Sequence, residues 1–103
     1  MLFRSESEKL NNQNFSVFHN LGIIAGIKKN FELAKINFLK AIEINENIDS
    51  LSELGRIYSN ENNFDEALKY FEKVLTKDPN HKKTNLRVGN MYFQMNEIGR
   101  AHV

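Results

Sequence analysis

There is no cysteine in this chain of 103 residues, so disulfides, thiolate nucleophiles and thiolate metal sites are excluded by chemistry alone. A reducing compartment is compatible with that, and the cytoplasm is the default expectation. Charge of one sign is also in short supply. Lys and Arg total 14 against 13 Asp and Glu, a net of +1, well short of the basic excess that counterion-driven nucleic-acid binding shows. Nucleic acid is not an expected partner. Long apolar runs are missing too. The longest, Leu21 to Ile27 in LGIIAGI, is far below the roughly 20 residues a spanning helix needs. The first 14 residues put only Leu2 and Phe3 before Arg4 and two Glu, so they lack the apolar stretch of a secretory signal. No membrane partner is expected. The close glycine pair, Gly22 and Gly26, forms GxxxG, a helix-dimer motif only in a membrane, and no phosphate-cradling loop is visible.

Catalytic constellations are equally scarce. His19, His81 and His102 have no spacing that sets two imidazoles on one face, and there is no HExxH pattern. Each reads as a surface or capping histidine. Glu32, Glu43, Asp65, Glu66 and Glu72 fall on polar helix faces, where solvation and i to i+4 pairing account for them. General acid and base roles need a cleft that this pattern does not supply. No catalytic residue, cofactor or metal is expected, and the chain reads as a non-enzyme.

What is present is a repeat. Gly22, Gly55 and Gly89 are spaced by 33 and 34 residues, and Ala34, Ala67 and Ala101 follow each glycine by 12. Phe31, Phe64 and Ile98 precede those alanines by three residues, and Phe38 and Phe71 follow the first two by four. Within a unit Leu51, Leu54, Gly55 and Tyr58, then Ala67, Leu68, Phe71, Val74 and Leu75, recur at helical spacings. Each unit is therefore two helices. Asn30 and Asn63 stand where they can cap the second helix of their units, with Glu66 completing a capping box. Ser50 and Glu53 form an S-x-x-E box that restarts the chain after the first unit. Pro79 disfavours helical backbone at Asp78, so the helix before it must stop there. Gly and Ala allow two helices to approach closely. One amphipathic pair cannot cover its own apolar faces, so successive units are expected to share a core.

These residues resemble the tetratricopeptide repeat family, whose pattern is W-x2-L-G-x2-Y, A-x3-F, then P. Residues 48–81 match through Leu54, Gly55, Tyr58, Ala67, Phe71 and Pro79, with Leu51 at the Trp position. Residues 15–47 match through Phe18, Leu21, Gly22, Ala34 and Phe38, with Ala25 in place of Tyr and no proline. A third unit, 82–103, carries Val88, Gly89, Tyr92 and Ala101, has Asn85 where an apolar residue is usual, and is incomplete, with Ala101 opening its second helix. The implied fold is all-α: a right-handed superhelical solenoid of helix-turn-helix repeats, about two and a half units over residues 15–103, after an N-terminal extension of residues 1–14.

The resemblance also implies a use. Members of the family hold a peptide or helix of a partner in a concave groove lined by the first helix of each unit. Carried over here, that face holds His19, Asn20, Ile23 and Ile27, then Ser52, Glu53, Arg56 and Asn60, then Lys83, Arg87, Asn90, Phe93 and Gln94. Lys83 and Arg87 share a helix face and could take an acidic group, Ile23 and Ile27 offer an apolar strip, and Glu53 should keep acid from the middle. The expected partner is thus a protein segment with an acidic group and an apolar anchor. A subset of the family clamps chaperone tails with five basic and amide side chains. Lys83 and Arg87 match two of them, but His19, Ile23 and Glu53 replace the rest, so that ligand is not expected. The alternative is an assembly segment, or an appendage of a larger multi-repeat protein or enzyme, docking through an unfinished C-terminal face. There Met91, Tyr92 and Met95 should lack cover and promote self-association.

Overall fold

A computed structural model describes the backbone of residues 2–101 and the side chains of residues 14–97. Five helices follow in order: α1 (Leu2–Ile27), α2 (Phe31–Ile44), α3 (Ile48–Asn60), α4 (Phe64–Lys77) and α5 (Lys82–Ala101). No strand occurs among the described residues, so the fold is an all-α helical repeat. Residues 2–14, read above as an extension, are the opening turns of α1. The helices group into two compact units, residues 1–50 and 51–103. His102 lies outside the described residues, as do the side chains of Ile98 and Ala101.

In the first unit α1 and α2 form an antiparallel hairpin about one aromatic ring. Phe38 has no exposed surface, and it lies so close to Gly22 that a Cβ there would sit 2.7 Å from the ring. The turn works because Lys29 takes a left-handed φ of 62°, a conformation that costs a branched or bulky residue most. Asn30 then caps α2, its side chain accepting from the backbone N–H of Leu33 at 3.3 Å. The second unit repeats the device. Gly55 faces the fully buried Phe71, with 2.5 Å between a hypothetical Cβ and the ring, and Asn62 supplies the left-handed turn at φ 63°. Ala67, Phe71 and Met91 form its core, with Tyr58, Phe64, Leu68 and Val88 packed around them.

Several local expectations change. Asn63 stands at the N-cap of α4, but its side chain makes no capping bond. Ser50 is not a cap at all. It lies inside α3 and is buried, and its backbone N–H is taken by Asn47 Oδ1 at 2.8 Å, which makes Asn47 the cap. Asn47→Ala should therefore cost about 1 kcal/mol, read as a lower thermal midpoint, whereas Asn63→Ala should leave the midpoint almost in place.

At the other end, α5 passes without a break through the position where the first two units turn. In the repeat register Glu97 of α5 stands where the first two units place Asn30 and Asn63 at the starts of α2 and α4. Met91 also departs from expectation, being fully buried, while Tyr92 and Met95 are exposed. Asn85, placed where an apolar residue is usual, instead ties α5 to the preceding turn by donating to the carbonyls of Pro79 and His81, each at 3.1 Å.

Candidate functional site

The second unit carries an open cleft of about 330 Å³ beside α3 and α5. Its walls are Arg56, Ser59 and Asn60 from α3 and Leu86, Arg87, Asn90 and Gln94 from α5, with the fully buried ring of Phe71 of α4 packed beneath them. Helical spacing sets the walls: Arg56 and Asn60 are four residues apart, as are Leu86 and Asn90 and then Asn90 and Gln94, so each series stays on one face. Ser59 Oγ and Gln94 Oε1, 3.5 Å apart, span the cleft.

A polar network fixes the two walls together. Arg87 donates to Ser52 Oγ at 2.8 Å and to Glu53 Oε1 at 3.0 Å. Arg56 binds the other oxygen of the same carboxylate, with both Nε and a terminal nitrogen 3.0 Å from Glu53 Oε2. Two guanidiniums therefore share one carboxylate, and the cleft keeps an excess of one positive charge. Burial pushes the Glu53 carboxyl up, but the charges of Arg87 and Arg56 and their hydrogen bonds outweigh it and hold the group below its ordinary value.

The network continues away from the cleft. A guanidinium only donates, so Ser52 Oγ accepts from Arg87 and its own hydrogen can pass on to Thr84 Oγ1, 2.9 Å away. Thr84 in turn reaches His81 Nδ1 at 2.7 Å, and the same nitrogen accepts from the backbone N–H of Thr84. His81 thus caps α5, one of the two roles, surface or capping, expected of it.

Of the thirteen residues read as a binding face, the cleft unites five: Arg56, Asn60, Arg87, Asn90 and Gln94. Ser52 requires correction. It is only 2% exposed and serves the internal network, so it cannot present itself to a ligand. Arg87 also differs from expectation, because its carboxylate is Glu53 and not one brought by a partner. Lys83 and Phe93 are exposed but do not line the cleft. In the first unit His19 is half-buried, bonded to Ser50 Oγ at 2.8 Å and tilted against Phe38. Asn20 and Ile27 there are exposed and Ile23 is half-buried.

Sequence reasoning missed Ser59 and Leu86. Leu86 had a signal: in the repeat register it falls on the same place as His19 and Ser52, both already assigned to the binding face. Among the described residues no group of three or more His, Asp or Glu side chains could hold a metal.

Comparison with known proteins adds to this geometry. Two models of the tetratricopeptide repeat match, one over residues 15–48 and one over residues 48–81. A TPR repeat-containing protein of Methanocaldococcus jannaschii is 33% identical over 85 residues, which is 82% of this chain and 25% of its own length. A BBSome complex member of Bos taurus is 25% identical over 97 residues, 94% of this chain and 19% of its own. The protein ycf37 of Guillardia theta is 32% identical over 90 residues, 82% of this chain and 51% of its own. The chain thus spans between about a fifth and a half of the length of these relatives.

Proposed function

The chain belongs to the tetratricopeptide repeat family, and from that premise we propose that it is a non-catalytic interaction module whose second unit holds a peptide of a partner protein in the cleft beside α3 and α5. The observation that carries this reading is the cleft's lining, where amide and guanidinium donors stand beside the exposed side chain of Leu86. Asn60, Asn90 and Gln94 can satisfy the backbone of an extended segment, which must not lose its hydrogen bonds on burial. The surplus positive charge selects an acidic side chain or terminus. Arg56 is the more accessible of the two cations, with a third of its side chain exposed against 17% for Arg87, so it is the one that meets the ligand. Leu86, 66% exposed at the cleft wall, is the apolar contact for an anchor residue. That one of the relatives is a complex member agrees with a role in holding proteins together.

Peptide display on the immobilised chain tests the proposal. Enriched sequences should pair an acidic residue with a bulky apolar one, and Arg56→Glu should weaken a selected peptide by tenfold or more, about 1.4 kcal/mol. Selection of basic peptides, or binding indifferent to Arg56→Glu, would put the site elsewhere.

A further inference from the structure

Three glycines share one register, and two of them are already seated. Gly22 holds the ring of Phe38 and Gly55 the ring of Phe71, each so tightly that a Cβ would come within 2.7 and 2.5 Å of the ring. A Cβ on Gly89 would meet nothing within 4 Å. The third seat is open and lies on the exposed side of α5, next to Tyr92 at 47% exposure.

What stands around that seat is not what the repeat supplies elsewhere. Four residues after the glycine the first two units carry Gly26 and Ser59, whereas α5 carries Phe93. Three residues before it they carry His19 and Ser52, whereas α5 carries Leu86. These two substitutions replace small or polar residues with large apolar ones, and both are about two-thirds exposed, at 65% and 66%. Surface apolar residues in a cluster mark a contact. At 3.6 residues per turn, Gly89 and Phe93 fall one above the other on a single helix face.

One helix face therefore carries both halves of the pair that joins the helices within each unit, a bare glycine and an unattached aromatic ring. A two-fold axis matches such a face with itself, because residue i then meets j while j meets i. We propose that two copies of this chain associate through α5, antiparallel, with Phe93 of each copy seated on Gly89 of the other. In that pairing Leu86 and Tyr92 flank the two seats and are covered along with them. The occupant is a second copy, and not a helix of some other protein, because the open glycine and the exposed ring stand on the same face of α5, so a two-fold pairing fills both at once. Leu86 also lines the cleft, so dimer and peptide compete for it, but Gly89 and Phe93 do not line it, so substitutions at those two positions test this face apart from the proposed peptide site.

Sedimentation equilibrium across a concentration series reads the proposal directly. The average mass should rise from the 12.0 kDa monomer towards twice that value and stop there. Gly89→Ala should abolish the rise while leaving the thermal melt of dilute protein undiminished, since the new methyl group has open space in the monomer and closes the seat to the ring. Phe93→Ser, which restores the residue of the second unit, should do the same. A mass that stays at the monomer value to the highest soluble concentration overturns the proposal. So does a dimer that persists in Gly89→Ala, which places the contact elsewhere, or growth past the dimer, which denies the two-fold match. A monomeric chain that binds a synthetic peptide of residues 64–77 also overturns it and assigns the seat to a helix from another protein.

Discussion

Phe71→Ala is expected to remove about 3–5 kcal/mol of stability, a large share of the roughly 5–15 kcal/mol that a domain has in total. The size of the effect follows from position. Phe71 has no exposed surface, its ring is pressed against Gly55, it belongs to the core cluster with Ala67 and Met91, and it lies beneath the cleft. Truncation leaves a ring-sized void between helices that a bare glycine cannot fill. Circular dichroism should show the cooperative thermal transition broadened or lost. Leu86→Ala is the control: its side chain is 66% exposed, so the melt should stay close to the parent. A midpoint for Phe71→Ala within a few degrees of the parent would mean that the second unit does not rest on this ring.

The second large effect is expected at Glu53. Its carboxylate is the shared partner of Arg56 and Arg87, and its side chain is only 13% exposed. Glu53→Gln leaves two partly buried guanidiniums facing each other without the charge that joins them, at a cost of roughly 1.5–3 kcal/mol. The same site predicts an acid dependence. The folded-state pKa of Glu53 lies below its ordinary value, so the contribution of this group is present above the unfolded pKa, about 4.3, and is lost as pH falls through the lower folded value. Urea unfolding of the parent from pH 7 down to pH 3 should therefore include a drop in stability below about pH 4.3. That part of the drop should be missing in Glu53→Gln. Parallel pH profiles for the two proteins would show that the arginines do not depend on this carboxylate.

Much of the architecture was legible because helices write their packing into spacing. The glycine and alanine series named the residues at the helix crossings, and the Gly22–Phe38 and Gly55–Phe71 contacts are those crossings. Pro79 ended α4 as expected, with Asp78 as its C-cap. The polar chemistry was harder to read. Periodicity tells which face a side chain occupies but not which of several partners it will bond. Ser50 could cap a helix or lie inside one, and the choice fell to Asn47, immediately before Ile48 opens α3. Arg87 looked like a cation awaiting a ligand. It is satisfied by Glu53, 34 residues earlier, a pairing that depends on how α5 lies along α3. The continuation of α5 past its expected turn coincides with Glu97 at the place where the first two units carry Asn30 and Asn63.

One contrast between the hairpins has an engineering consequence. Leu33, Ile36 and Leu39 are exposed on α2, at 46%, 49% and 40%. One period of 33 residues later the same places on α4 hold Glu66, Lys69 and Glu72. The two hairpins share a backbone plan and a ring-on-glycine joint, yet one wears a greasy coat where the other wears a charged one. They are not interchangeable building blocks. A tandem array copied from residues 48–81 would multiply a water-loving exterior and stay dispersed, whereas an array copied from residues 15–47 would multiply an oily one and coalesce. Recombining parts of this chain thus has a direction: the second hairpin is the one to duplicate, and the first is the one to keep single.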